Sequence, residues 1–211
     1  MEGTMKNYLI AAAIYLASAS LSDAQQPARF NTDAIKFISC TVSVPGGNIT
    51  VSGSGTVFAK NEIMTAYHVV NRGQCSVDGY PVTIIKHSAK SDIAIIGAAL
   101  RNDQPIAHYS CSGFLAGQTY YSFGFSSGMT IVEPIIATMG TASTLPSPEY
   151  PYEVDHLKAF SGLIFHGMSG GPVIDNQNLI IGINNGSNVS TTVGSRSLSD
   201  TPLCSNQTQE N

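Results

Sequence analysis

Gly167-Met168-Ser169-Gly170-Gly171-Pro172 is the stretch on which the reading of this chain turns. Glycines on both sides of a serine let the backbone turn tightly and leave the hydroxyl exposed. The N–H groups of Gly167 and Ser169 can then converge on one point, where a developing oxyanion would be held. In a chain with 20 glycines such a loop could equally be inert. Two upstream segments weigh against that. Thr65-Ala66-Tyr67-His68 closes one apolar run, and Ser91-Asp92-Ile93-Ala94-Ile95-Ile96 opens another.

His, Asp and Ser in that chain order suggest a nucleophile with its base and the base's partner. A serine hydroxyl attacks poorly at neutral pH unless a base takes its proton. Imidazole suits that task, and a carboxylate on its other nitrogen fixes the tautomer and stabilises the imidazolium. The assignment is Ser169 as nucleophile, His68 as general base and acid, and Asp92 as the orienting carboxylate. Asp103 and Asp155 lack the strand-entry context of Asp92. His87, His108 and His156 carry no partner pattern and read as surface or loop histidines.

Taken together, these segments resemble the trypsin-like serine proteases. Gly53-Ser54-Gly55-Thr56-Val57-Phe58 and Ile63-Met64-Thr65-Ala66-Tyr67-His68-Val69-Val70 are similar to the family's strand and histidine turn, in motif most like the compact HtrA (Deg) type. Ser169-Gly170-Gly171-Pro172-Val173 followed by Ile181-Gly182-Ile183-Asn184 is similar to its serine loop and following strand. The resemblance spans residues 37–187. It implies an all-β fold of two antiparallel six-stranded barrels, chymotrypsin-like, with the active site between them and neither cofactor nor metal. It also implies that Asn184, Asn185 and Gly186 run beside the substrate backbone like an added strand. Leu163 falls near the base of the specificity pocket and His166 at its rim. An apolar Leu163 points to small or aliphatic side chains at the cleavage point.

The chain departs from the family at two positions. Tyr67 stands where a small residue is common and should narrow the approach beside His68. Met168 replaces the usual Asp or Asn before the serine, which argues against activation by a buried ion pair with a new N-terminus. No PDZ domain is expected after residue 187. The alternative to an enzyme is a catalytically silent protease-fold protein that binds partners; an esterase would use the same site.

Strand-like runs bounded by turn signals recur along the chain: Phe37–Val44, Ile49–Phe58, Glu62–Ala66, Tyr80–Ile85, Ile93–Ala98, Thr119–Phe125, Met129–Met139, Gly162–Phe165, Pro172–Ile174 and Leu179–Ile183. The expected division is 1–24 signal peptide, 25–36 N-terminal extension, 37–108 first lobe with His68 and Asp92, 109–190 second lobe with Ser169, and 191–211 a loose polar tail.

Apolar residues make up 43% of the 211, which suffices for a sizeable core, and the net charge of −4 comes without a basic cluster. No nucleic-acid partner is therefore expected; a protein or peptide substrate and a monomeric state are. Lys6 followed by the apolar stretch Tyr8–Leu21 and small residues at Ser22-Asp23-Ala24 reads as a secretion signal, too short for a stable membrane span. A helix packed into the domain is the competing reading. Export to the periplasm or the outside would let Cys40, Cys75, Cys111 and Cys204 form two disulfides. Three pairings stay open, with Cys75–Cys111 and Cys40–Cys204 preferred; four buried thiols are the alternative. Asn48, Asn185, Asn188 and Asn206 match glycosylation acceptors.

Overall fold

Residues 30–126, 128–142, 157–188 and 192–205 are described by the computed structural model. The expected signal segment, Asp155, His156 and Asn206 lie outside them. The first lobe is one antiparallel sheet. Its strands are β1 (Ile35–Val44), β2 (Gly47–Ala59), β3 (Glu62–Thr65), β4 (Gln74–Val77), β5 (Tyr80–Pro81), β6 (Thr83–Ser88) and β7 (Ile93–Gly97). They pair in the order β5-β4-β1-β2-β3-β7-β6. The two edge strands, β5 and β6, are separated by Val82 alone, so the chain steps directly from one edge to the other. The sheet must therefore curl back on itself into a half-barrel whose edges do not pair, with seven strands where six were expected.

The second lobe is a closed barrel. It comprises β8 (Thr119–Ser126), β9 (Met129–Ala142), β10 (Leu157–Ser161), β11 (Pro172–Ile174), β12 (Ile180–Asn188) and β13 (Thr192–Ser197), paired β10-β13-β12-β11-β8-β9. The fold is the all-β, two-barrel, chymotrypsin-like architecture that the sequence implied. Two one-turn helices matter below: α1 (Tyr67–Val70) and α2 (Pro202–Ser205). Among the described residues no helix is long and apolar enough to cross a membrane.

Inward-facing residues of alternating strands fill each lobe. Ile38, Ile63, Met64 and Ile96 are fully buried in the first, and Ile135, Phe160, Val173 and Ile181 in the second. Phe114 packs edge-on against both Tyr120 and Phe160. Rings also join the lobes, with Phe37 of β1 against Phe125 of β8 at 5.7 Å between centroids.

Several expectations are corrected. Gly162–Phe165 is a loop, whereas β4, β10 and β13 are strands that the sequence reading lacked. Residues 192–205 are no loose tail: they supply β13, α2 and a disulfide cysteine. β13 escapes hydrophobic periodicity because the side chains it buries are Ser195, Arg196 and Ser197. The disulfides are Cys40–Cys75 and Cys111–Cys204, with Cα atoms 4.0 and 5.6 Å apart. Cys40 lies directly opposite Cys75 in the β1–β4 register. That register commits Cys75 to Cys40, and Cys111 bonds instead to Cys204 of α2.

Candidate active site

The pairing of β3 with β7 brings together the ends that carry His68 and Asp92. Thr65, at the end of β3, lies opposite Ala94, near the start of β7. α1 begins two residues after Thr65, and Asp92 immediately precedes β7. Asp92 is fully buried and sits at φ +47, in the left-handed region that an L-residue enters at a cost. That torsion turns both its carboxylate and its carbonyl toward α1. Its Oδ1 accepts from the His68 main-chain N–H at 2.9 Å, and its Oδ2 lies 2.7 Å from His68 Nδ1. The carbonyl accepts from Tyr67 N–H at 3.2 Å. A carboxylate can only accept, so Nδ1 is the donor, and in the neutral tautomer the ring's lone pair falls on Nε2.

Asn185 completes the carboxylate's surroundings from the other lobe. The β12–β13 register shifts between Asn184 and Gly186, which makes Asn185 the bulged residue. A bulge re-aims a side chain, and here it sends the amide across the cleft. Asn185 Nδ2 donates to Asp92 Oδ2 at 2.7 Å and to Asp92 O at 3.1 Å, while its Oδ1 accepts from Arg196 N–H at 2.8 Å.

The serine loop is built from close backbone contacts. Ser54 N–H donates to Ser169 O at 2.7 Å, and Ser54 Oγ donates to Gly167 O at 2.6 Å while accepting from Phe125 N–H at 2.8 Å. Gly170 has φ +82, and a Cβ there would run into Thr65 Oγ1, Ser54 O and Ala66 N. Its N–H donates to Asn184 O at 2.7 Å. Ser169 is thus held next to the strand end that leads into the His68 turn. Among the described residues, the amides of Gly167 and Ser169 donate to no protein group, and Ser169 Oγ forms no hydrogen bond.

Met168 occupies its position without charge. It is fully buried, its N–H donates to Phe165 O at 3.0 Å, and its Sδ accepts from Phe165 N–H at 3.3 Å. A Cβ on Gly124 would overlap Met168, so the small residue in β8 makes room for the thioether chain. Tyr67 stacks on His87 of β6 at 4.3 Å, which commits its ring to that strand.

The expected substrate-contacting residues divide into two groups. Leu163 and His166 are exposed beside the serine loop, Leu163 at 52%. Asn184 is instead committed to the scaffold. Its backbone bonds Gly170 and Gly171, and its side chain accepts from Ser122 Oγ and donates to Phe123 O and Met168 O. The Asn185 side chain is buried against Asp92, which also rules it out as a glycosylation acceptor in the folded chain. Gly186 lies opposite Gly194 in the β12–β13 register. Sequence reasoning missed Ser54 and Arg196 as parts of the site. Ser54 stood within a quoted motif, and Arg196 is the single charged residue between Asp175 and Asp200. No group of three or more His, Cys, Asp or Glu among the described residues is arranged to hold a metal ion.

Comparison with known proteins bears on the family and the fold. The family described as Trypsin-like peptidase domain matches residues 53–183. No curated protein sequence matches the chain. Among solved structures, the chain is similar to the active form of the Rv3671c protease from M. tuberculosis. That match has a TM-score of 0.65 at 19% identity, covering 78% of this chain and 75% of that one. The inactive form of Rv3671c protease matches with a TM-score of 0.62 at 17% identity, covering 84% and 88%. At such identities the likeness speaks for the fold.

Proposed function

The chain belongs to the trypsin-like peptidase domain family, and from that premise we propose that it is an exported serine endopeptidase. It cuts peptide bonds through an acyl-enzyme formed on Ser169. The observation that carries this reading is the His68–Asp92 pair, closed by two hydrogen bonds, on a turn whose entry at Thr65 and Ala66 packs against Gly170 of the serine loop. In the proposed cycle His68 Nε2 takes the Ser169 proton as the hydroxyl attacks the scissile carbonyl. The amides of Gly167 and Ser169 stabilise the oxyanion, and the imidazolium then gives its proton to the leaving amine. Water, deprotonated by His68, releases the acyl group and restores the serine. The Asp92 carboxylate accepts from Nδ1–H and balances the charge of the imidazolium as it forms.

Exposed Leu163, with Phe165 exposed beside it, favours small or aliphatic residues at the cleavage point. His166 at the rim contributes a polar contact, and Gly186 pairs with the substrate backbone. Two disulfides support export, since such bonds persist in oxidising compartments. The departures at Tyr67 and Met168 remove no group from the proposed chemistry. Matched ester and amide substrates with an aliphatic residue before the scissile bond test the reading. Turnover of both by the wild type, and of neither by Ser169→Ala, is expected; undiminished peptide cleavage by Ser169→Ala overturns it.

A further inference from the structure

We propose that Arg196 is a positioning residue for Asp92. Its guanidinium reaches from the second barrel into the first lobe and grips the turn that sets the torsions of the carboxylate residue. The proposal rests on the reading of His68 and Asp92 as the acid–base pair.

The geometry is specific. Arg196 Nε donates to Ser91 O at 3.1 Å, and a terminal guanidinium nitrogen donates to Lys90 O at 3.4 Å. These are the two carbonyls immediately before Asp92. The third, Asp92 O, accepts from Tyr67 N–H and Asn185 Nδ2. Three consecutive carbonyls are therefore fixed, two by Arg196 and one by groups from both lobes. The residue they lead into has φ +47, a conformation that persists only where its surroundings hold it.

Burial points the same way. Among the described residues Asp92 and Arg196 are the only charged side chains that are buried, at 0% and 3% exposure. A guanidinium cannot shed its proton and is costly to bury. Its planar fork meets two neighbouring carbonyls at once, which a lysine ammonium, a single point charge, does not reproduce. The Arg196 main chain also holds the Asn185 amide through its N–H. Substitution of the side chain leaves that bond in place and isolates the contribution of the guanidinium.

The test uses the full chain with Arg196→Gln and Arg196→Lys, each checked for folding by thermal unfolding. Two readouts are taken: kcat and KM on an aliphatic peptide ester, and the downfield proton resonance of His68 Nδ1–H. Arg196→Gln should lower kcat about tenfold to a hundredfold with KM within about twofold, because a sub-ångström shift of the carboxylate misaligns the base. It should also move or broaden the resonance, and Arg196→Lys should recover only part of both. A folded Arg196→Gln with wild-type kcat and an unchanged resonance overturns the proposal. Should Arg196→Gln fail to fold, Arg196→Lys is judged by the same two readouts, and wild-type values in it overturn the proposal equally. An inactive wild type would sink the reading of the site, whereas the resonance comparison would still decide the role of Arg196.

Discussion

The two halves of the site are held by different physical means. Asp92 and His68, on the first lobe, are fixed by hydrogen bonds among buried polar groups: a carboxylate with three donors, an amide crossing the cleft, and a guanidinium on the preceding carbonyls. Ser169, on the second, is fixed by close backbone approach. Gly53, Gly170 and Gly171 each sit where a Cβ would meet a neighbour, and the residue before the serine is an apolar thioether. The polar half can lose one bond and shift. The glycine half has no slack at Gly170 and Gly171, because atoms added there collide with backbone. In both halves the holding groups cross between lobes, Asn185 and Arg196 in one direction and Ser54 in the other, so the site and the lobe interface are one construction.

This contrast gives predictions of graded size. Removing a reacting group should matter most: Ser169→Ala or His68→Ala lowers kcat by about 10⁶ if the groups act as a unit. Steady-state kinetics of the purified variants measure this. Next comes the rigid half. Gly170→Ala forces a non-glycine residue to φ +82 and a methyl group into Ser54 O and Ala66 N. It should cost about 3–5 kcal/mol in denaturant unfolding, combining left-handed strain with overpacking. If the loop is instead forgiving, Gly170→Ala will unfold at wild-type denaturant concentrations.

The polar half should yield more gently. Asn185→Ala removes one donor from Asp92 while His68 still supplies two, so kcat should fall about tenfold to a hundredfold with the fold retained. A loss as large as that of His68→Ala would mean that the amide is indispensable rather than supportive. The smallest effect is expected at Met168. Met168→Leu conserves volume and apolarity and should cost under about 1.5 kcal/mol with turnover within a few-fold. Met168→Asp would bury an unpaired charge, and its destabilisation measured by the same unfolding curves should exceed that of Met168→Leu by several-fold.

The parts of the proposed site that lie close together in the chain are the ones the sequence makes legible. Thr65–His68, Asp92 before an apolar strand, and the glycines around Ser169 each carry their chemistry within a few residues. What was not legible depends on cross-lobe register. Asn185 read as a substrate contact because nothing local reveals the bulge that turns its side chain inward. Arg196 sits in a Ser- and Gly-rich strand whose buried residues are polar, so neither periodicity nor hydropathy marks β13 as core. Its isolation among uncharged residues was the available signal. The disulfides followed the same rule: Cys40 and Cys75 meet because β1 pairs with β4, a fact of register rather than of spacing. Gly162–Phe165 misled in the opposite sense. It has the apolar run of a strand, but Leu163 and Phe165 are exposed beside the serine loop.

The central claim is that Ser169 is activated by a base and faces a working oxyanion hole. Treating the wild type and Ser169→Ala with a fluorophosphonate probe, and mapping the adduct by mass spectrometry, tests it most directly. The account predicts one adduct, on Ser169, absent from the variant. A well-folded wild type that takes no adduct, or takes it on another residue, would contradict it.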